Sequence, residues 1–216
     1  MRLYTAKIVG KNVLPEHFRL LVSGPTGSGK TSFVKKLIQS KRLSNEISHV
    51  YYCYPDIFDE PPVDWHDLPN LIVTYLPYIP DLNYIRNLKK GSLLVLDDNF
   101  ENAIKSSSIS STLKILSRRG FSVVLITQYF FEDGPYARVL RNQLSGVVLF
   151  RNFGDVRINL SVAKKLGVEK QYQLAEKETR NRKYDPIVIL SSEIVNCNEL
   201  RVQTNYLSNN ESLCYA

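Results

Sequence analysis

Residues 18 to 40 read FRLLVSGPTGSGKTSFVKKLIQS, and the central eight, GPTGSGKT (24–31), fit the pattern G-x-x-x-x-G-K-[ST] at each constrained position. The apolar run before them predicts a short buried strand. Phe33, Leu37 and Ile38 after them fall on one face of a helix. A loop between a strand and a helix start is where backbone amides and the positive helix end converge on an anion. Gly24, Gly27 and Gly29 let the amides turn inward, while Pro25, Thr26 and Ser28 complete the loop. Lys30 is then expected to reach the β- and γ-phosphates of ATP, and the Thr31 hydroxyl to take a place on Mg²⁺.

The chain has 216 residues, enough for one domain with a full α/β core. Hydrophobic residues make up 44% and charged residues 23%, an ordinary balance for a globular protein. No apolar run reaches the roughly 18 residues that span a bilayer, and MRLYTAKIVGKNV lacks the apolar stretch of a secretory signal. No membrane partner is expected. Cys53, Cys197 and Cys214 are odd in number and lack metal-site spacing, which points to a reducing compartment. Cys53, inside a predicted strand, reads as a small core residue. The net charge of +7 is compatible with a polyanionic partner, but the basic pairs are dispersed: Lys35-Lys36, Lys41-Arg42, Lys89-Lys90, Arg118-Arg119 and Lys164-Lys165.

Strands and helices alternate along the chain. Further strands are predicted at 47–54, 71–76 (an edge strand), 92–98, 121–128, 146–150 and 186–191. Helices are predicted at 80–91, near 109–119, within 136–143, at 156–167 and up to about 180. This order predicts a mainly parallel central sheet with helices on both faces. The domain division is 1–17 as an N-terminal extension, 18–191 as the P-loop domain and 192–216 as a C-terminal tail. The end of that tail, NYLSNNESLCYA, has the composition of a disordered segment.

SLLVLDD (92–98) is a continuous apolar run that ends in two acids. A buried parallel strand of this kind delivers Asp97 to the carboxyl edge of the sheet, beside the nucleotide, where it would hold Mg²⁺. Asp98 follows at the position of a carboxylate that orients and deprotonates an attacking water. FSVVLITQ (121–128) ends in a polar residue, and in ATPases of this kind that strand lies between the acid-bearing strand and the phosphate-loop strand. Gln128 would then face the γ-phosphate, with Thr127 a second candidate for that role. An arginine supplied by a neighbouring subunit would complete such a site. Arg119 is the first choice, with Arg118 and Arg138 as alternatives.

With these residues in place the chain resembles genome-packaging ATPases of the FtsK–HerA superfamily, most of all those of Polinton/Maverick elements and adintovirus-like viruses, relatives of the poxvirus type. VYYCYPD (50–56) resembles the family's second strand, and IPDLNYIRNLKKGSLLVLDD (79–98) its proline-led helix and Walker B strand. The stretch 118–155 is similar to the family's run of apolar strand, Gln, aromatic, glycine turn, Arg and Asn. These fall on Gln128, Phe130 or Phe131, Gly134, Arg138 and Asn142. A second apolar strand then leads to Phe150, Arg151, Asn152 and Asp155. Tyr129 and Pro135 depart from the family's usual residues, and Asp98 stands where the superfamily usually has glutamate. The resemblance spans about 18–167. It implies an ASCE, RecA-like fold and a homo-oligomeric ring, often a hexamer. It also implies movement of double-stranded DNA into a capsid, with a capsid component as a further partner, inside the host cell in nucleus or cytoplasm.

Three other readings remain. A P-loop small-molecule kinase needs an acceptor pocket and an arginine-rich lid. A GTPase switch needs N-K-x-D, a string this chain lacks. A replication-type helicase or clamp-loader-like ATPase shares most of the same features.

Overall fold

The computed structural model describes residues 7–9, 13–40, 42–55, 57, 60–61, 63–98, 105, 115–116, 118–131, 134–154, 156–182, 184–208 and 212–215. These form a ten-stranded sheet in the order β1-β10-β9-β8-β7-β2-β6-β5-β3-β4. The strands of its larger half are β2 (Arg19–Ser23), β3 (His49–Cys53), β4 (Ile72–Leu76), β5 (Leu93–Asp97), β6 (Ser122–Thr127) and β7 (Gly146–Leu149). These neighbours are all parallel. Their near-continuous Val, Leu and Ile content follows from burial on both faces. β4, as predicted, is the edge strand.

Alternation along each strand divides the core in two. Leu20, Val22, Val95, Val124, Ile126 and Val148 point to one face. There they pack on Phe33, Val34 and Leu37 of helix α1 (Lys30–Gln39), with Trp65 and Leu68 from the proline-rich connection alongside. Leu21, Val123, Leu125 and Val147 point to the other face. Covering it are α2 (Leu82–Arg86), α3 (Ala137–Arg141), α4 (Val156–Lys165) and α5 (Glu169–Thr179), through Ile85, Leu140, Val162 and Tyr172 among others. Cys53 lies fully buried in this second cluster, where loss of solvent pushes its thiol well above the ordinary range.

Two expectations change. The predicted helix at 80–91 is a single turn and a half, capped by the Asp81 side chain accepting from Tyr84 N and ended before Leu88. The described residues of the predicted C-terminal tail also form regular structure. β8 (Ile187–Leu190) runs antiparallel to β7, and β9 (Val202–Thr204) follows a short helix, α6 (Asn198–Arg201). β10 (Ser212–Cys214) then pairs on one side with β9 and on the other with β1 (Lys7–Val9). Ser212, Cys214 and Tyr215 are buried although the segment around them is polar. Its backbone groups complete a sheet ladder, and Val202, Leu213 and Tyr215 pack into the second core cluster. Most of the predicted helix near 109–119 falls outside the described residues; 115, 116 and 118 are helical.

Candidate functional site

The carboxyl ends of β2, β6 and β5 lie side by side, with β6 in the middle. This is the strand order expected from the two acid- and glycine-bearing segments. Ser23 is in register with Thr127, and Asp97 with Ile126. The phosphate loop, Asp97-Asp98 and Gln128 therefore emerge at one edge. Gly24 N donates to Thr127 O (3.2 Å), and Asp98 N to Ile126 O (3.1 Å), which pins both loop starts to β6.

The loop glycines answer to different demands. Gly27 and Gly29 have φ of 73° and 98°, a left-handed backbone that suits glycine. Gly24 is constrained by space, since a Cβ there would lie 2.5 Å from Phe150 Cβ. Phe150, which stands edge-on to Phe33, is thus the floor of the loop. Gly29 caps α1 without a side-chain hydrogen bond, and the first turn of α1 carries no acid. Its amide end is left for an anion. The Ser28 hydroxyl is buried without a partner beside this loop.

Lys30 is buried, and its Nζ donates to Gly24 O (2.8 Å) and Pro25 O (3.0 Å). Burial pulls its ammonium below the usual lysine range, while the charges of Asp98 and Asp97 act in the opposite direction. Asp97 is half-buried at the tip of β5. Burial raises its carboxyl above the ordinary range, opposed by a hydrogen bond from Tyr52 and then by Lys30. The Tyr52 hydroxyl donates to Asp97 Oδ2, and the Thr31 side chain lies near enough to the same phenol to lower its proton affinity. Burial first, and the Asp97 charge second, push the Tyr52 hydroxyl far above the normal phenol range, so it remains a proton donor. Thr31 and Asp97, the two residues expected on Mg²⁺, thereby both lie beside the Tyr52 hydroxyl. A buried carboxylate with raised proton affinity beside a threonine hydroxyl is a donor set that a hard divalent cation suits. One carboxylate plus substrate phosphates is how Mg²⁺ is commonly held. Among the described residues no cluster of three or more His, Cys, Asp or Glu offers an alternative metal site.

Asp98 is exposed, with φ of 48°, and projects from the turn just past β5. Gln128 is the half-buried residue after β6, in phase with Val124 and Ile126 on the α1 face. Thr127 is occupied with the turn: its hydroxyl donates to Tyr129 O and accepts from Tyr129 N, both at 3.1 Å. Arg118 and Arg119 stand before β6, at the opposite, amino edge of the sheet, and so are remote from this subunit's own loop. Arg138 lies exposed on α3, and Asn142 caps that helix. Phe130 is buried edge-on to Phe131. Arg151 donates to Arg180 O and stacks on Phe153, and the Asn152 side chain accepts from Gly154 N. Asp155 lies outside the described residues.

A cavity of about 720 Å³ adjoins the loop. Gly29, Lys30, Thr31 and Lys36 form one wall, and Tyr184, Pro186 and the turn 205–208 the other. Arg182 holds the second wall together, through Asp185 Oδ2 and Asn205 Oδ1, both at 3.2 Å. Arg42 stacks on Tyr206 from behind, 5.0 Å from its ring centroid. Sequence reading found neither this wall nor Tyr52. The turn 205–208 of that wall lies in the segment whose composition predicts a tail, while Tyr184 and Pro186 lie just before β8. Tyr52 carried a signal that could have been used, since it alternates with Val50 and Tyr54 on the α1 face of β3.

No family model matches the chain, and no curated protein matches it in sequence. Solved structures do. The genome packaging NTPase B204 from Sulfolobus turreted icosahedral virus 2, in complex with ATP-gammaS, is similar with a TM-score of 0.54 and 14% identity, over 83% of this chain and 95% of that one. The DNA-packaging ATPase B204 from Sulfolobus turreted icosahedral virus is similar with a TM-score of 0.52 and 15% identity, over the same shares of 83% and 95%. At such identity the likeness speaks to architecture: this chain has a P-loop NTPase fold, a mixed α/β structure with a mostly parallel central sheet flanked by helices.

Proposed function

We propose that the chain is an ATP-hydrolysing translocase that moves double-stranded DNA into a viral or virus-like capsid. One observation carries the hydrolytic part: Lys30, Thr31, Asp97 and Asp98 converge at one sheet edge, with β6 and Gln128 between the two loops. The packaging part rests on the sequence resemblance over 118–155, and proteins of this fold include the packaging NTPases named above.

In this reading the amides of 27–31 and the Lys30 ammonium bind the ATP phosphates. Lys30 exchanges its carbonyl partners Gly24 and Pro25 for phosphate oxygens. Thr31 and Asp97 would hold Mg²⁺, which supplies charge neutralisation across the β- and γ-phosphates. Asp98 orients a water and accepts its proton, and Gln128 hydrogen-bonds that water or the γ-phosphate. Tyr52 keeps the Asp97 carboxylate in position. The wall made by Tyr184, Pro186 and Tyr206 receives the base and ribose. Arg119 of an adjacent copy, within a ring, supplies the cation for the transition state. The activity belongs to a reducing intracellular compartment, in keeping with three unpaired thiols.

ATP turnover measured with and without duplex DNA, beside a mass measurement of the assembly, tests the reading. Release of ADP and phosphate without an added acceptor, accelerated by duplex, is the expected result. Phosphate transfer only to a small acceptor would replace it with a kinase, and unwinding of forks without translocation on intact duplex with a helicase.

A further inference from the structure

The basic pairs that are scattered in sequence are gathered by the topology. Lys89-Lys90 precede β5, Arg118-Arg119 precede β6, and Arg19 opens β2. Because these strands are parallel and adjacent, all five side chains belong to the amino edge. The turns themselves are tied together, Gly91 N donating to Gly120 O at 2.7 Å. α4 returns from the carboxyl edge and ends in Lys164-Lys165 at the same place, since Lys165 lines a cavity with Gly146, the first residue of β7. That cavity, about 590 Å³, is also lined by Arg138, Arg141 and Arg201, with Glu193 as its acid. Glu16 and Glu46 precede β2 and β3 at this edge, so that cations outnumber acids there among the described residues.

Helix dipoles explain part of this, because α1 to α4 end at the amino edge and a cation is favoured there. They do not explain a strand-opening arginine. Burial pulls the Arg19 guanidinium below its ordinary range, opposed by Glu193 and, to a lesser extent, reinforced by Arg118; its Nη1 donates to Gln143 Oε1 (2.8 Å), while its Nε is buried without a partner.

We propose that this amino edge, apart from Arg119, which the translocase reading gives to the neighbouring subunit's site, is the track for the phosphate backbone of duplex DNA, on the face of the subunit opposite the nucleotide. The inference rests on the translocase reading and deepens it by naming the surface that meets the partner. Strands lie about 4.8 Å apart, so β5, β6, β2 and β7 spread the charge over roughly 15 Å. One DNA strand presents a charge about every 3.4 Å of axis, so several phosphates are matched at once. The contacts are to backbone and not to base edges, which suits a motor that must accept any sequence. The same strands carry the phosphate loop and Asp97 at their other ends, so a shift at one edge is delivered rigidly to the other.

The test uses the full chain and a mixed-sequence duplex, with binding measured over a salt series. Lys90→Ala with Lys165→Ala removes two exposed charges from the edge. Lys35→Ala with Lys177→Ala removes two elsewhere, as the control. The edge variant is expected to bind severalfold more weakly at low salt, with the slope of log K against log salt reduced by about 1 per lysine. Its ATP turnover without DNA should be unchanged, and its stimulation by DNA reduced. Equal losses in edge and control variants, or wild-type binding and slope in the edge variant, overturn the track while leaving the translocase standing. Failure of the wild type to bind duplex at any salt overturns both.

Discussion

The Tyr52 hydroxyl donates a hydrogen bond to the Asp97 carboxylate across 45 positions of sequence, joining the ends of two adjacent parallel strands. Tyr52 is completely buried and Asp97 half-buried, and the arrangement sets a carboxylate charge in a place that penalises it. Binding of a cation there would relieve that penalty, and in the proposed reading it would link the stability of the fold to the site through one residue.

Asp97 has a carboxyl raised by burial, so folding favours its protonated form. Its contribution is favourable below the unfolded carboxylate value of about 3.9 and is lost as pH rises through the higher folded value. Asp97→Asn, which mimics the protonated form and can still accept from Tyr52, is expected to be more stable than the wild type at pH 7 without Mg²⁺ and ATP. The difference should vanish below about pH 4. Urea midpoints at both pH values measure this, and a wild type that is the more stable at pH 7 would show the charge already compensated.

Lys30→Ala and Thr31→Ala should each weaken Mg-ATP binding by at least about tenfold, the loss of one charge-assisted hydrogen bond or one metal ligand being worth roughly 1.5–3 kcal/mol. Calorimetric titration with a non-hydrolysable analogue reports it. Wild-type affinity in both variants would mean that the phosphates bind elsewhere.

Asp98→Asn is expected to keep that affinity and to lose turnover by about 10² to 10⁴, because a proton acceptor for water acts in the transition state and not in the ground state. Its backbone, at φ 48°, suits asparagine equally well, so the substitution leaves the turn intact. Full turnover in this variant would assign the base to another group.

Gly24→Ala tests the floor of the loop. The added methyl would meet Phe150 Cβ at 2.5 Å, and overpacking of this kind costs about 1–3 kcal/mol. A lowered thermal midpoint together with weakened ATP binding is the expected pair of effects. A variant with unchanged midpoint would show that the loop and Phe150 separate freely.

Arg119→Ala should suppress turnover in the assembled form with ATP affinity nearly intact, and mixing it with wild type should lower activity more than in proportion. Strictly proportional activity in the mixtures would remove this arginine from the neighbour's site, with Arg118 and Arg138 next to be tried.

Much of the site was legible because it is local in the chain. GPTGSGKT specifies its own turn through two left-handed glycines, and SLLVLDD and FSVVLITQ name their strands by unbroken apolar runs and their sheet edge by the polar residue that ends each. Parallel order followed from the alternation of strands and helices, since a crossover helix requires it. What the sequence could not show was pairing at a distance. Whether Tyr52 meets Asp97 depends on β3 lying next to β5, and whether 205–208 lines the cavity beside the phosphate loop depends on β9 joining β8. The last strands were hidden because a polar segment is stabilised in a sheet by hydrogen bonds to partners that no local pattern identifies. The same holds for Lys90, Arg19, Arg118 and Lys165, which are four unrelated charges in the sequence and one surface only after the sheet has set their strands side by side.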